Sequence, residues 1–194
     1  MDIKAQVKAF KKELIVKKAG ELFAKEGFSA VKMADIAKAC NVAVGTIYKL
    51  FASKEDLFFA YVQYEIDRFY DRLLQDFQTH KTPKERLAIF VDRMIEAFLD
   101  KKKVLTDTIA GDPLFFAKLN LTHQNPAQKI YNLLEKEFAK LPLKINEPQK
   151  IAILFKSFIY GYIEYWLLFD KNIHNISKEA LEIFLCGIIK DEQC

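Results

Sequence analysis

Chain breakers are scarce in this sequence: 194 residues hold 6 glycines and 5 prolines, and no proline precedes Pro83. A chain so short of turn-formers and rich in Leu, Ile, Lys, Glu and Ala favours long helices. Cysteine is scarcer still, with three residues, Cys40, Cys186 and Cys194. An odd, widely spaced set argues against a disulfide framework, and a cytoplasmic location is expected. The three histidines, His80, His123 and His174, are scattered without metal-ligand spacing. No metal, cofactor or catalytic residue is therefore assigned, and the chain is not expected to be an enzyme. No run reaches 18 uncharged apolar residues, so a membrane span is not expected. The stretch from Met1 to Phe10 is charged and lacks the apolar segment of a secretion signal.

What is present is apolar mass and an uneven charge. Hydrophobic residues make up 51%, with 17 Phe against one Trp. That is enough to build a core, and Phe-rich interiors can also line an apolar pocket. Residues 1–54 carry 11 lysines against five acidic residues, a surplus of six, whereas the remainder carries a deficit of two. Such asymmetry is the footprint of a polyanionic partner at the N-terminal end, or of a solvated basic face.

Helical periodicity runs through the chain. Leu14, Ile15, Ala19, Leu22 and Phe23 form a stripe ending near Gly27, a natural C-terminal stop. Two short helices are expected at 33–40 and 44–51. Ser53 caps a long helix to about 78, with Asp56 in its first turn. Thr82-Pro83-Lys84-Glu85 is a capping box opening a helix to about 101, and Asn125-Pro126 opens another to about 140. A short helix and a broken segment occupy 104–122. Asn146 to Pro148 starts a very apolar helix to about Phe169, and Ser177 caps the last one, to about 190. The fold class is all-α with about nine helices. The expected domains are 1–53, built of three helices, and 54–194, which holds the remaining helices.

The most informative segment is residues 33–51, MADIAKACNVAVGTIYKLF. Ile36, Cys40, Val42, Ile47 and Leu50 have the spacing to pack two short helices across a tight turn, with Ala37 small at the crossing. Asn41 sits at the turn, where its side chain tolerates left-handed backbone. The second helix of such a motif enters the major groove, although an ordinary helical hairpin satisfies the same spacing.

The run ELFAKEGF followed by DIAKACNVAVGTIYKLFASKEDL resembles the N-terminal domain of the tetracycline-repressor (TetR) family of bacterial regulators. The likeness maps onto Leu22 to Phe28, Asp35 to Ala37, Val42 to Phe51 and Ser53 to Leu57, and covers roughly residues 10–60. It implies that Thr46 and Tyr48 offer hydroxyls to phosphates. Lys49 would reach a phosphate or guanine edge, Gly45 would allow close approach, and Lys54 would clamp a phosphate. Tyr48 has a second possible role, packing on the first helix. Three positions depart from the family pattern. Ala43 replaces the usual Ser cap, at a cost of about 1 kcal/mol. Lys32 replaces Thr or Ser, keeping a phosphate contact only through charge. Val44 replaces what is often a polar reader and offers contact with a thymine methyl instead.

The resemblance further implies a ligand cavity in the C-terminal domain. Candidate lining residues are Phe90, Met94, Phe98, Ile109, Phe115, Phe116, Leu119, Phe158 and Tyr162, which would suit a small hydrophobic molecule. An ordinary core explains most of them equally well. The last two helices are too apolar to face water, so an isologous homodimer is expected through Gly161, Tyr165, Leu168, Phe169, Phe184, Gly187 and Ile188. The implied function is a repressor released from a palindromic operator in double-stranded DNA when a small hydrophobic effector binds. The alternative is a sensor or carrier of hydrophobic ligands that has lost sequence-specific DNA binding, favoured by Ala43 and Val44.

Overall fold

The computed structural model describes residues 2–99, 101–106, 126–169, 172–173 and 175–189. Among them the chain forms nine helices and no strand beyond one isolated bridge between Leu143 and Ile189. The helices are α1 (Ile3–Glu26), α2 (Met33–Ala39), α3 (Val44–Tyr48), α4 (Lys54–Thr79), α5 (Pro83–Leu99), α6 (Lys102–Thr106), α7 (Gln128–Phe138), α8 (Pro148–Phe169) and α9 (Ser177–Ile188). They divide into two compact units. The first holds α1 to α3, α4 as far as Asp67, and α6; the second holds the rest of α4 with α5, α7, α8 and α9.

Local chemistry sets most helix ends. Asp2 caps α1, its Oδ1 accepting from the Lys4 amide at 3.1 Å. Gly27 stops α1 with a φ of 88°, a conformation that costs a residue without a Cβ little. Ser53 Oγ accepts from the Asp56 amide at 3.0 Å and starts α4. The capping box of α5 is reciprocal: the Glu85 amide donates to Thr82 Oγ1 at 3.2 Å, and Glu85 Oε2 accepts from the Thr82 amide at 2.9 Å. Ser177 does not cap α9 as expected. It is the first helical residue, behind Ile176, which makes no side-chain cap bond. The helix expected at 44–51 ends at Tyr48; beyond it the Leu50 and Phe51 amides both donate to Ile47 O at 2.9 Å in a closing turn.

The first unit packs around aromatic rings. Phe23 on α1 meets Phe58 on α4 edge-on at 5.3 Å, and Phe28 lies 4.8 Å from the same ring. Ile36 and Ile47 are fully buried and pin α2 and α3 to this core. Where α1 crosses α4, Gly20 leaves room for the Tyr61 ring; a Cβ at residue 20 would fall 2.3 Å from Tyr61 Cε2. Val104 on α6 closes the cluster.

The second unit buries Leu87, Phe90, Val91, Met94 and Ile95 of α5 against α7, α8 and α9. Rings of Phe90, Phe155, Phe184 and Phe138 link with centroid separations of 4.9–6.2 Å. The buried Glu137 carboxylate is held by Arg86 Nη1 at 3.1 Å and Lys140 Nζ at 2.6 Å. Arg86 also donates from Nε to the carbonyls of Phe77 and His80, so one guanidinium ties the ends of α4 and α7 to the start of α5. On the outer side Arg93 grips Asp76 with two hydrogen bonds of 2.7 and 3.2 Å, which hold the Asp76 carboxyl below its ordinary range.

One sequence expectation is revised here. Cys186 is exposed and disulfide-bonded, where the odd, widely spaced cysteines argued against a disulfide framework. Helix α8 is long and apolar enough, by length and composition alone, to cross a membrane. It buries one face through Ile151, Phe155, Ile159, Ile163 and Trp166 and leaves the other exposed.

Candidate nucleic-acid interface

The α2–α3 pair is a helix-turn-helix built on two buried isoleucines and one left-handed residue. Asn41 takes a φ of 52°, which turns the chain and lets the Val42 amide donate to Ala37 O at 3.0 Å. Of the five apolar residues expected to pack this turn, Ile36 and Ile47 are fully buried and Cys40 and Leu50 partly so. Val42 is 36% exposed, because the left-handed turn at Asn41 swings it outward. Burial pushes the Cys40 thiol up, so it stays protonated at neutral pH.

With Ile47 anchored inward, the remaining side chains of α3 stand clear. Ala43, Val44, Gly45, Tyr48 and Lys49 are exposed and Thr46 is half-buried. Tyr48 keeps 53% of its surface open. Gly45 has no heavy atom within 4 Å of where a Cβ would sit. Ala43 makes no side-chain cap bond. Lys32 is exposed at the head of α2, and its own amide donates to Asp35 Oδ2 at 2.9 Å. Half of the capping arrangement thus survives the loss of a hydroxyl at residue 32.

Lys54 departs from its expected place. Its ammonium turns inward and donates to the carbonyls of Phe28 at 2.9 Å, Val31 at 3.0 Å and Ser29 at 3.5 Å. It also lies 4.3 Å from the centroid of the Phe28 ring. A lysine ammonium has three protons. All three are directed at the turn between α1 and α2, which leaves none for a phosphate in this arrangement. The sequence gives no hint of this, because residues 28–31 and 54 meet only in the fold.

In the second unit the candidate pocket residues separate. Phe90 and Met94 are buried in the core of α5. Phe98 meets Tyr160 edge-on at 5.3 Å. Phe158 packs on Phe184 and on Tyr162, whose hydroxyl donates to Glu179 Oε1 at 3.0 Å and is pushed up to about 12 by burial and that carboxylate. Ile109, Phe115, Phe116 and Leu119 lie outside the described residues. Sequence reasoning passed over Lys156, which sits 4.5 Å from the Tyr160 centroid and 5.8 Å from that of Tyr131. Burial lowers its pKa. Its spacing of four from Tyr160 was the available signal.

Of the candidate interface residues, Tyr165, Leu168 and Phe169 are exposed, at 46%, 68% and 61%. Gly161 and Gly187 are open, while Phe184 and Ile188 are half-buried. Ile153, Leu154 and Ile183 extend the same apolar surface and were not singled out from the sequence.

The family model for bacterial regulatory proteins of the tetR family matches residues 15–61, the segment from the buried face of α1 to Tyr61. An HTH-type transcriptional regulator of Staphylococcus aureus (strain MRSA252) is 26% identical over 176 residues, covering 90% of this chain and 89% of that one. The fatty acid metabolism regulator protein of Bacillus subtilis is 33% identical over 79 residues, 41% of each chain. The chain spans less than half the length of the first curated relatives it matches. Among solved structures, the transcriptional regulator FadR from Bacillus subtilis in complex with stearoyl-CoA superposes with a TM-score of 0.70 at 20% identity, over 90% of this chain and 97% of that one. The left-handed turn, the inward isoleucines and the matched segment agree that residues 15–61 form a helix-turn-helix domain of the kind found in the tetR family of bacterial regulatory proteins, and the fold of the whole chain is the one its regulator neighbours share.

Proposed function

We propose that the chain is a homodimeric, cytoplasmic repressor that grips double-stranded DNA with α3 and lets go when a small hydrophobic molecule binds its second unit. The observation that carries this reading is the division of α3 into two faces. Ile47 is wholly buried, whereas Val44, Gly45, Tyr48 and Lys49 face outward within the first 54 residues, where the positive charge is concentrated. Lys49 supplies charge to a phosphate or a guanine edge, the hydroxyls of Thr46 and Tyr48 hydrogen-bond phosphate oxygens, and Val44 meets a thymine methyl. Lys32 adds charge from the head of α2. Lys54 acts from behind, holding the α1–α2 turn against α4.

The apolar outer faces of α8 and α9 favour an isologous pairing of two copies, with Gly161 and Gly187 admitting close helix approach. A dimer sets two α3 helices one turn of duplex apart, about 34–36 Å, and calls for a palindromic operator. The effector reading rests on the aromatic wealth of the second unit and on the stearoyl-CoA held by the B. subtilis FadR structure. An acyl chain with an acidic head suits Phe98, Tyr131 and Tyr160 around the Lys156 cation. Helix α4 contributes to both units, so a ligand that changes packing around its second half also moves the helix that Lys54 fastens to residues 28–31. Release requires that the effector bind the DNA-free arrangement more tightly, since equal affinity shifts no population.

The deciding experiment is a gel shift of the full chain with the DNA upstream of its own gene against a scrambled duplex, at about 0.15 M salt, where non-specific binding is weak. Preferential retardation of the upstream fragment supports the reading. Equal, weak binding to both replaces it with a ligand sensor that does not read sequence.

A further inference from the structure

The N-terminal half of α1 carries an apolar stripe that no part of the described chain covers. Ile3, Val7, Phe10 and Leu14 are exposed by 75%, 47%, 69% and 45%. At 3.6 residues per turn they fall within an arc of about 60°. The residues that α1 buries in its own domain, Ile15, Val16, Ala19 and Phe23, lie on the opposite side. Among the described residues of the unit, the stripe has no partner.

Its spacing says what fits it. The steps of four, three and four place Ile3 and Phe10 at d and Val7 and Leu14 at a of a heptad repeat. So narrow a seam suits another helix, whereas a membrane-lying helix presents a wider face. The seam ends after two heptads, because the next d and a positions hold Lys17 and Glu21.

The flanking charges choose the partner. Lys4, Lys11 and Lys18 occupy the e positions, and Gln6 and Glu13 the g positions. In a parallel pair, g of one helix faces the e that follows on the other. Two copies of α1 so arranged bring Glu13 against Lys18 and Gln6 against Lys11, in both directions. An antiparallel pair would instead line lysines up with lysines. Glu13 and Lys18 are held within their own helix, by Lys17 and Glu21 at 2.7 Å each, but these pairs are solvent-exposed and readily exchanged.

We infer that residues 3–14 of α1 form a self-association seam, which pairs in parallel register with α1 of a second copy of this chain. Two heptads are too short to hold a pair alone. The seam acts between copies that already lie close together, as on neighbouring sites of one duplex. That last step rests on the DNA-binding reading; the pairing itself does not.

Cysteine trapping tests it on the full chain without DNA, at a protein concentration high enough that copies meet often and even a weak, transient pairing is captured covalently. Parallel register places position 10 against its own counterpart, within disulfide reach. Phe10→Cys is compared with Ala9→Cys, an exposed position one residue outside the seam, under mild oxidation on a non-reducing gel. The expected result is covalent pairing of Phe10→Cys about tenfold faster than Ala9→Cys, because pairing raises the local concentration of the thiol. Adding Val7→Glu to Phe10→Cys should return it to the control rate. Adding Glu13→Lys should slow it by about two- to fourfold, and the further change Lys18→Glu should restore it. Equal rates at positions 9 and 10 overturn the inference, as does insensitivity to Val7→Glu. Binding of the wild-type chain to anionic phospholipid vesicles, lost in Val7→Glu and accompanied by no link at position 10, would assign the stripe to a lipid surface and overturn it equally.

Discussion

Replacing Lys54 by methionine separates two roles that a lysine at the start of α4 can play. In the structure the ammonium donates to Phe28, Ser29 and Val31, and the aliphatic stem needs only space that methionine also fills. A hydrogen bond from a charged donor contributes about 1.5–3 kcal/mol when buried. Lys54 is half-exposed and water recovers part of this, so the set contributes about 2 kcal/mol. Lys54→Met should therefore lower the Tm by about 4–8 °C for a chain of this size. DNA affinity should fall as well, because the turn that leads into α2 loosens. The dependence of affinity on salt should not change. Each phosphate contact contributes about 0.9 to the slope of log K against log salt. Fluorescence anisotropy over a salt series should thus give the same slope for Lys54→Met as for wild type, and a slope about 0.9 shallower for Lys49→Met. A Lys54→Met slope reduced by that amount with an unchanged Tm would refute the reasoning and restore Lys54 to the phosphates.

Three further outcomes follow from packing and charge. Gly20→Ala places a methyl group 2.3–2.5 Å from Tyr61 ring carbons and should destabilise the chain by about 1–3 kcal/mol in denaturant unfolding, with Tyr61→Leu restoring part of the loss. Arg86→Met leaves the buried Glu137 with Lys140 alone and frees two carbonyls, so the loss should approach about 3 kcal/mol, whereas Lys150→Met at an exposed pair should cost under about 0.5 kcal/mol by the same measurement. Asp76 has a folded pKa lowered by Arg93, so its contribution is complete above the ordinary carboxylate value near 3.8 and is lost as pH falls through the folded value. Acid unfolding followed by circular dichroism should show a shallower decline below pH 4 in Arg93→Met than in wild type.

Much of the architecture was legible because short-range rules govern it. Gly27, Ser53 with Asp56 and the Thr82–Glu85 box are read from neighbours in sequence, and each sits where its chemistry puts it. Asn41 is the same kind of signal, a residue tolerant of positive φ at the one place the turn needs it. Ser177 misled because a hydroxyl before an apolar run looks alike whether it caps a helix or begins one. The inward turn of Lys54 lay out of reach for a different reason. The carbonyls that hold it lie 23–26 residues earlier in the chain. The Lys156 cluster and the fit of Gly20 to Tyr61 likewise depend on which helix faces which, and no local pattern encodes that. The exposed face of α3 was legible only in part, because exposure is set by where Ile47 is drawn inward.

The central claim is that the outward face of α3 lies in duplex DNA, twice per dimer. Hydroxyl-radical footprinting of the chain on the fragment upstream of its own gene tests it most directly. The account predicts two protected patches with centres about 10 base pairs apart, both lost in Lys49→Glu while the helical circular dichroism of that variant is unchanged. Protection that persists in Lys49→Glu, or its absence from the wild type at concentrations that saturate a gel shift, would contradict it.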